Sequence, residues 1–219
     1  MADSTDGVGA RLTAMDRPRS LGHVALAVGP GDGPAAAALL GALGLDVTDN
    51  GPSKMGDPWY TALVDRDTFA GLENLFFVVP VSEAQLRLEA AIGDQLAATD
   101  ELADFLASKR DQPESTSHVA LAFRDLDALE AAVHAVLDAA DEPPLAGRVN
   151  VRVFRARPGH ADVDARMDAS DLFADADDVA FVPRTVQVFV QTDVVSTGLL
   201  LLGQTIELDY VFPEVQIAL

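Results

Sequence analysis

Two histidines occupy matching places in a repeated pentapeptide. HVALA stands at 23–27 and again at 118–122. Each copy alternates as a half-buried strand does, so His23 shares a face with Ala25 and Ala27, and His118 with Ala120 and Ala122. The bulkier valines and leucines between them point the other way. Small neighbours leave room above an imidazole. A third residue has a similar setting. In QTIELDYVF (204–212), Glu207 shares its face with Thr205 and Asp209, while Ile206 and Leu208 lie opposite. A buried carboxylate is costly unless it is paired or bound to a metal. Two imidazoles and one carboxylate, with positions left open, are the facial donor set of non-haem Fe(II) oxygenases. The expectation is one divalent metal ion on His23, His118 and Glu207. Fe(II) is favoured; Zn, Mn, Co or Ni suit the same donors. Glu207 is also the candidate catalytic residue. The competing reading is a hydrogen-bonded core histidine copied by duplication.

The elements that must position these residues follow from the repeat. Each HVALA is followed by a short polar or Gly/Pro turn and an Ala/Leu-rich helix. In the first copy Asp32 or Gly33 is placed to cap the helix and Pro34 suits its first turn. In the second, Leu126, Leu129, Val133, Val136, Leu137 and Ala140 recur at helical spacing. Strands are expected near 45–49, 59–65 and 73–81, then at 148–156, 184–194 and 204–212. Segment 82–110 opens with Ser82-x-x-Gln85, a capping-box pattern, and reads as one or two linker helices. The acidic stretch 157–178 reads as a loop insertion with one helical turn.

The fold class expected is α+β: two tandem βαβββ modules forming a curved mixed sheet around a metal-binding cleft. The divisions are a disordered leader at 1–19, module one at 20–81, a helical linker at 82–114, and module two at 115–219 with its acidic insertion at about 157–180.

Composition narrows the function. The chain has 219 residues, a net charge of −20 and no cysteine. Cysteine-ligated zinc, thiolate catalysis and disulfides are thereby excluded. So acidic a surface repels phosphate backbones and anionic membranes, which argues against nucleic acid as a partner. Lysine occurs only at 54 and 109, and this Lys-poor, Asp-rich surface suggests a protein adapted to salt. The first twenty residues lack an apolar stretch, and the LLLL run at 199–202 is far too short to span a bilayer. A cytoplasmic protein with a small-molecule substrate is expected, with a homodimer as the oligomeric option.

HVALA followed by an Ala-rich helix, twice over, resembles the vicinal oxygen chelate superfamily, which includes glyoxalase I, bleomycin resistance proteins, extradiol dioxygenases and methylmalonyl-CoA epimerase. The stretch at 100–129 also resembles the linker and strand of the 4-hydroxyphenylpyruvate dioxygenase branch. The resemblance implies paired modules around a cleft, with metal ligands from the first and last strand of each. Aligning the last strands on Pro80 and Pro213 sets Asn74 opposite Glu207, and a one-residue slip would set Glu73 there. Three strong donors resemble the extradiol and hydroxyphenylpyruvate enzymes, implying an Fe(II) dioxygenase acting on a catecholic or 2-oxo-acid substrate. The alternatives are a metal-dependent epimerase, isomerase or lyase, with Asn74 as a weak fourth ligand, and a non-catalytic drug-binding protein. Gln187 and Gln191, on one strand face with Phe189, are candidates for substrate contact, as are Asn74 and Arg152. For Arg152, Arg155 and Arg157 the competing role is to balance the acidic insertion.

Overall fold

The computed structural model describes residues 22–66, 74–97, 99–198 and 200–213. The expected leader and Glu73 lie outside the described residues. Those described form a mixed α/β structure with a four-stranded and a five-stranded sheet.

The first HVALA is β1 (His23–Val28). It leads through α1 (Gly33–Ala42) to β2 (Asp46–Pro52), β3 (Pro58–Leu63) and β4 (Leu75–Pro80). The sheet order is β1-β4-β3-β2. Edge strand β1 pairs parallel with β4, and the remaining neighbours are antiparallel. Two helices follow, α2 (Glu83–Leu96) and α3 (Glu101–Asp111). Ser82 caps α2 as its motif predicts, its hydroxyl accepting from the Gln85 N–H at 3.2 Å.

The second HVALA is β5 (His118–Ala122). It is followed by α4 (Leu126–Ala140), β6 (Val149–Arg155), α5 (Ala161–Asp168), β7 (Asp178–Val179), β8 (Thr185–Thr192) and β9 (Gln204–Val211). The order is β5-β9-β8-β6-β7. Here too the HVALA strand lies at an edge and pairs parallel with the last strand.

Alternation within the strands decides what is buried. Leu26 and Val28 of β1 pack with Leu39 and Leu40 of α1. On the second sheet, Val186, Val188, Val190, Ile206 and Leu208 meet Leu129, Val133 and Val136 of α4 in the same continuous core. Full burial of one such side chain contributes roughly 1.5–3 kcal/mol. Helices α1 and α4 pack on each other. The Ala27 and Ser196 backbones exchange hydrogen bonds of 2.7 and 2.9 Å, tying β1 to the loop before β9.

Two local expectations need correction. Asp32 stands at the N-cap of α1 but does not cap it. Its carboxylate accepts instead from Arg148, Oδ1 at 2.6 Å and Oδ2 at 3.2 Å, a charge-assisted bidentate pair that outweighs one backbone N–H. The insertion holds more than one helical turn: α5 has eight residues and buries Val163 and Met167, and β7 extends the sheet beside β6.

Candidate functional site

The polar side chains of the five-stranded sheet gather on one face because the register puts them there. His118 lies opposite Thr205, Ala120 opposite Glu207 and Ala122 opposite Asp209. On the other side of β9, Gln191, Phe189 and Gln187 lie opposite Thr205, Glu207 and Asp209. The two alanines open the space that lets the ring of His118 lean toward Glu207.

Glu207 is the centre of this cluster. Its side chain is 6% exposed, and Oε2 is 2.8 Å from His118 Nε2. Oε1 accepts a hydrogen bond from the Gln187 amide. The other ring nitrogen of His118, Nδ1, is 2.8 Å from the Thr116 carbonyl oxygen. A carbonyl only accepts, so Nδ1 carries hydrogen and Nε2 is turned toward the carboxylate. Two lone-pair-bearing atoms at 2.8 Å require a proton or a cation between them. An imidazole held by its far nitrogen on a backbone carbonyl is the usual support for a metal-ligating histidine.

Two oxygens on the same strand face are orphaned. Among the described residues, the buried Thr205 Oγ1 and Asp209 Oδ1 make no hydrogen bond, although the Asp209 carboxyl lies within reach of Glu207 and Gln187. They flank Glu207 at one step to either side of its face. Burial, and then the neighbouring Glu207 charge, push the Asp209 carboxyl up to about 7. Buried oxygens without partners are uncommon and call for a water, an ion or a ligand.

The four-stranded sheet presents a different face. His23 is exposed at the start of β1 and stacks edge-on against Phe77 at 4.7 Å. Phe77 in turn lies 5.9 Å from Trp59. Among the described residues, no three of His, Asp and Glu stand together as a ready metal-binding group. The structure therefore joins His118 to Glu207, and gives His23 an aromatic neighbour rather than a place in that cluster.

Asn74 is not the counterpart of Glu207. Counting along the ladders from each histidine, His23 pairs with Leu75 and His118 with Thr205, so the residue matching Glu207 is Phe77. Alignment on the prolines errs by three residues because Pro80 is the last residue of β4 whereas Pro213 lies beyond the end of β9. Asn74 precedes β4 with a left-handed backbone, φ 53°, and its carbonyl accepts from the Val64 N–H at 2.9 Å.

Gln191 is tied at both ends: its Nε2 donates to the Lys109 carbonyl at 2.6 Å and its Oε1 accepts from Asn150 at 2.7 Å. Arg152 donates to the Asp178 carboxylate at 2.7 and 3.1 Å and to the Asp111 carbonyl. Arg155 reaches Asp168 at 2.8 Å and Arg157 the Phe181 carbonyl at 3.1 Å. These arginines anchor the insertion. His134, on α4, lies 3.3 Å from the Asp171 carboxylate.

Sequence reasoning missed Thr116, Asp209 and Phe77. Phe77 was within reach, by counting from the histidine instead of from the proline. Thr116 contributes a backbone oxygen, for which no residue type gives a signal. No family model, curated protein or solved structure matches the chain.

Proposed function

We propose that this chain is a divalent-metal-dependent enzyme for a small molecule, built as two βαβββ modules whose sheets form a cleft of vicinal-oxygen-chelate type, and that its reaction is an Fe(II)-dependent dioxygenation of a catecholic or 2-oxo-acid substrate. The observation that carries this reading is the orientation of His118. Thr116 fixes Nδ1, and Nε2 meets a nearly buried carboxylate flanked by two orphaned oxygens.

The donor chemistry fits such an ion. His118 offers an Nε2 of fixed direction, and Glu207 offers a carboxylate whose far oxygen Gln187 holds in place. In this reading the third ligand is His23, which stands beside Phe77 and outside the His118–Glu207 cluster and must close on the other two when the ion binds. When bound, the metal would supply open coordination positions for substrate oxygens and O2. The protein's own part is orientation and exclusion of water. Phe189, fully buried and edge-on to His118 at 6.0 Å, backs the ring. Phe77 and Trp59 offer an aromatic surface beside His23. The placement of Phe77 in the fourth ligand register favours three donors over four, and so oxygen chemistry over the epimerase or lyase reading in which Asn74 was to be a ligand.

The test is metal analysis of protein purified without oxygen, followed by O2 uptake with catechols and 2-oxo acids. Iron bound at one per chain, lost in both His118→Ala and His23→Ala, with substrate-dependent O2 uptake, is the expected result. Tight zinc without O2 uptake would overturn the dioxygenase reading. Full metal retention in His118→Ala would overturn the site itself.

A further inference from the structure

A cavity of about 730 Å³ lies where the end of β5, the first half of α4 and the turn after α1 meet. That volume is within the ~300–1,000 Å³ typical of small-ligand pockets. One wall is made by Ala128, Ala131, Ala132 and Ala135, which recur at helical spacing and so give α4 a low, smooth strip. Leu43 and Leu121 close the apolar side. Aromatic side chains contribute little: among the lining residues only Phe123 is aromatic.

The polar groups of this cavity are Arg124, Asn74 and Asp65. Asp65 already makes an interaction of its own. Arg124 makes no ion pair or hydrogen bond among the described residues. It is unlike Arg148, Arg152, Arg155, Arg166 and Arg184, each of which reaches a carboxylate at 2.6–2.8 Å. Arg124 is exposed and pairs with no acid among the described residues, although Asp65 lines the same cavity; in a chain of net charge −20, such a cation beside an apolar hollow attracts an anion. The alanine strip suits a saturated chain better than a stacked ring.

We propose that this cavity binds a medium-chain aliphatic carboxylate, its alkyl chain along the alanine strip and its carboxylate at Arg124 and Asn74. The site is separate from the His118–Glu207 cluster, although both use β5. Its occupant would be a second small molecule, recognised whatever reaction the cluster performs.

Titration calorimetry of the full chain with octanoate and with 1-octanol tests this. Octanoate binds at one per chain, and octanol about tenfold more weakly for want of the charged head. Arg124→Gln brings octanoate down to the octanol level and leaves octanol unchanged. Ala131→Trp, on an exposed position of the strip, abolishes both. Should that variant lose its thermal transition, Ala128→Phe serves in its place. Octanoate affinity unchanged in Arg124→Gln, binding that survives filling of the cavity, or no saturable binding at all each overturns the proposal.

Discussion

Phe77 stands opposite Ala25 in the first sheet as Glu207 stands opposite Ala120 in the second. Two strands in the same register relation to their HVALA partners thus carry an aromatic ring at one site and a carboxylate at the other. Phe77→Glu would give the four-stranded sheet the donor it lacks. On the proposed metal site, the variant should hold zinc at least about tenfold more tightly than wild type against a competing chelator, because a carboxylate adds a charged ligand. It should lose O2 uptake as an open position is filled. Unchanged zinc affinity would mean that Phe77 does not face the metal.

Gly203 introduces β9 with a left-handed backbone, φ +78°. A Cβ there would collide with the Thr192 carbonyl oxygen and come within 3.0 Å of Asp193 Cα. Lys109 holds the same turn, donating to the Leu202 and Gly203 carbonyls at 3.0 and 2.6 Å. Gly203→Ala should destabilise the protein by about 2 kcal/mol or more, from left-handed strain plus the clash. Urea unfolding measures this. A change below about 0.5 kcal/mol would show that the turn adapts freely.

Asp209 gives stability a definite pH dependence. Its folded-state pKa is raised from 3.8 to about 7, first by burial and second by the Glu207 charge. In the metal-free protein its contribution is most favourable below about pH 4. It is lost as pH rises through the interval to 7, because the unfolded chain releases the proton first. Chelator-treated Asp209→Asn should show a smaller fall in melting temperature between pH 4 and 8 than wild type. Parallel profiles would remove Asp209 as the cause.

Arg148 joins distant parts of the chain. It meets Asp32 before α1 and Asp193 after β8, the latter at 2.7 Å. All three groups are at least partly exposed. A double-mutant cycle between Asp32→Asn and Arg148→Met should therefore give a coupling of about 1 kcal/mol, smaller in molar salt. Salt should act in the opposite sense on the chain as a whole. Screening of a −20 surface predicts a higher urea midpoint in molar salt, and equal midpoints would sink the reading of a salt-adapted protein.

By itself the sequence determined the local pattern. Both HVALA strands, the helices after them and the capped linker helix were legible because period-two and helical spacing, with a Ser-x-x-Gln box, are properties of neighbouring residues. It also put His118, Gln187 and Glu207 on favourable strand faces, since a strand's alternation needs no knowledge of its partner. What only the tertiary structure decided was register and pairing across the chain. Which residue matches Glu207 depends on hydrogen bonds between β1 and β4, so a proline-based alignment chose Asn74 and the ladder chose Phe77. Asp32 reads as a cap until Arg148 arrives from 116 residues away and offers it a charged partner. The contact of His118 with Glu207, held from behind by a Thr116 carbonyl, arises from strand pairing and a backbone atom, and neither is written in residue type.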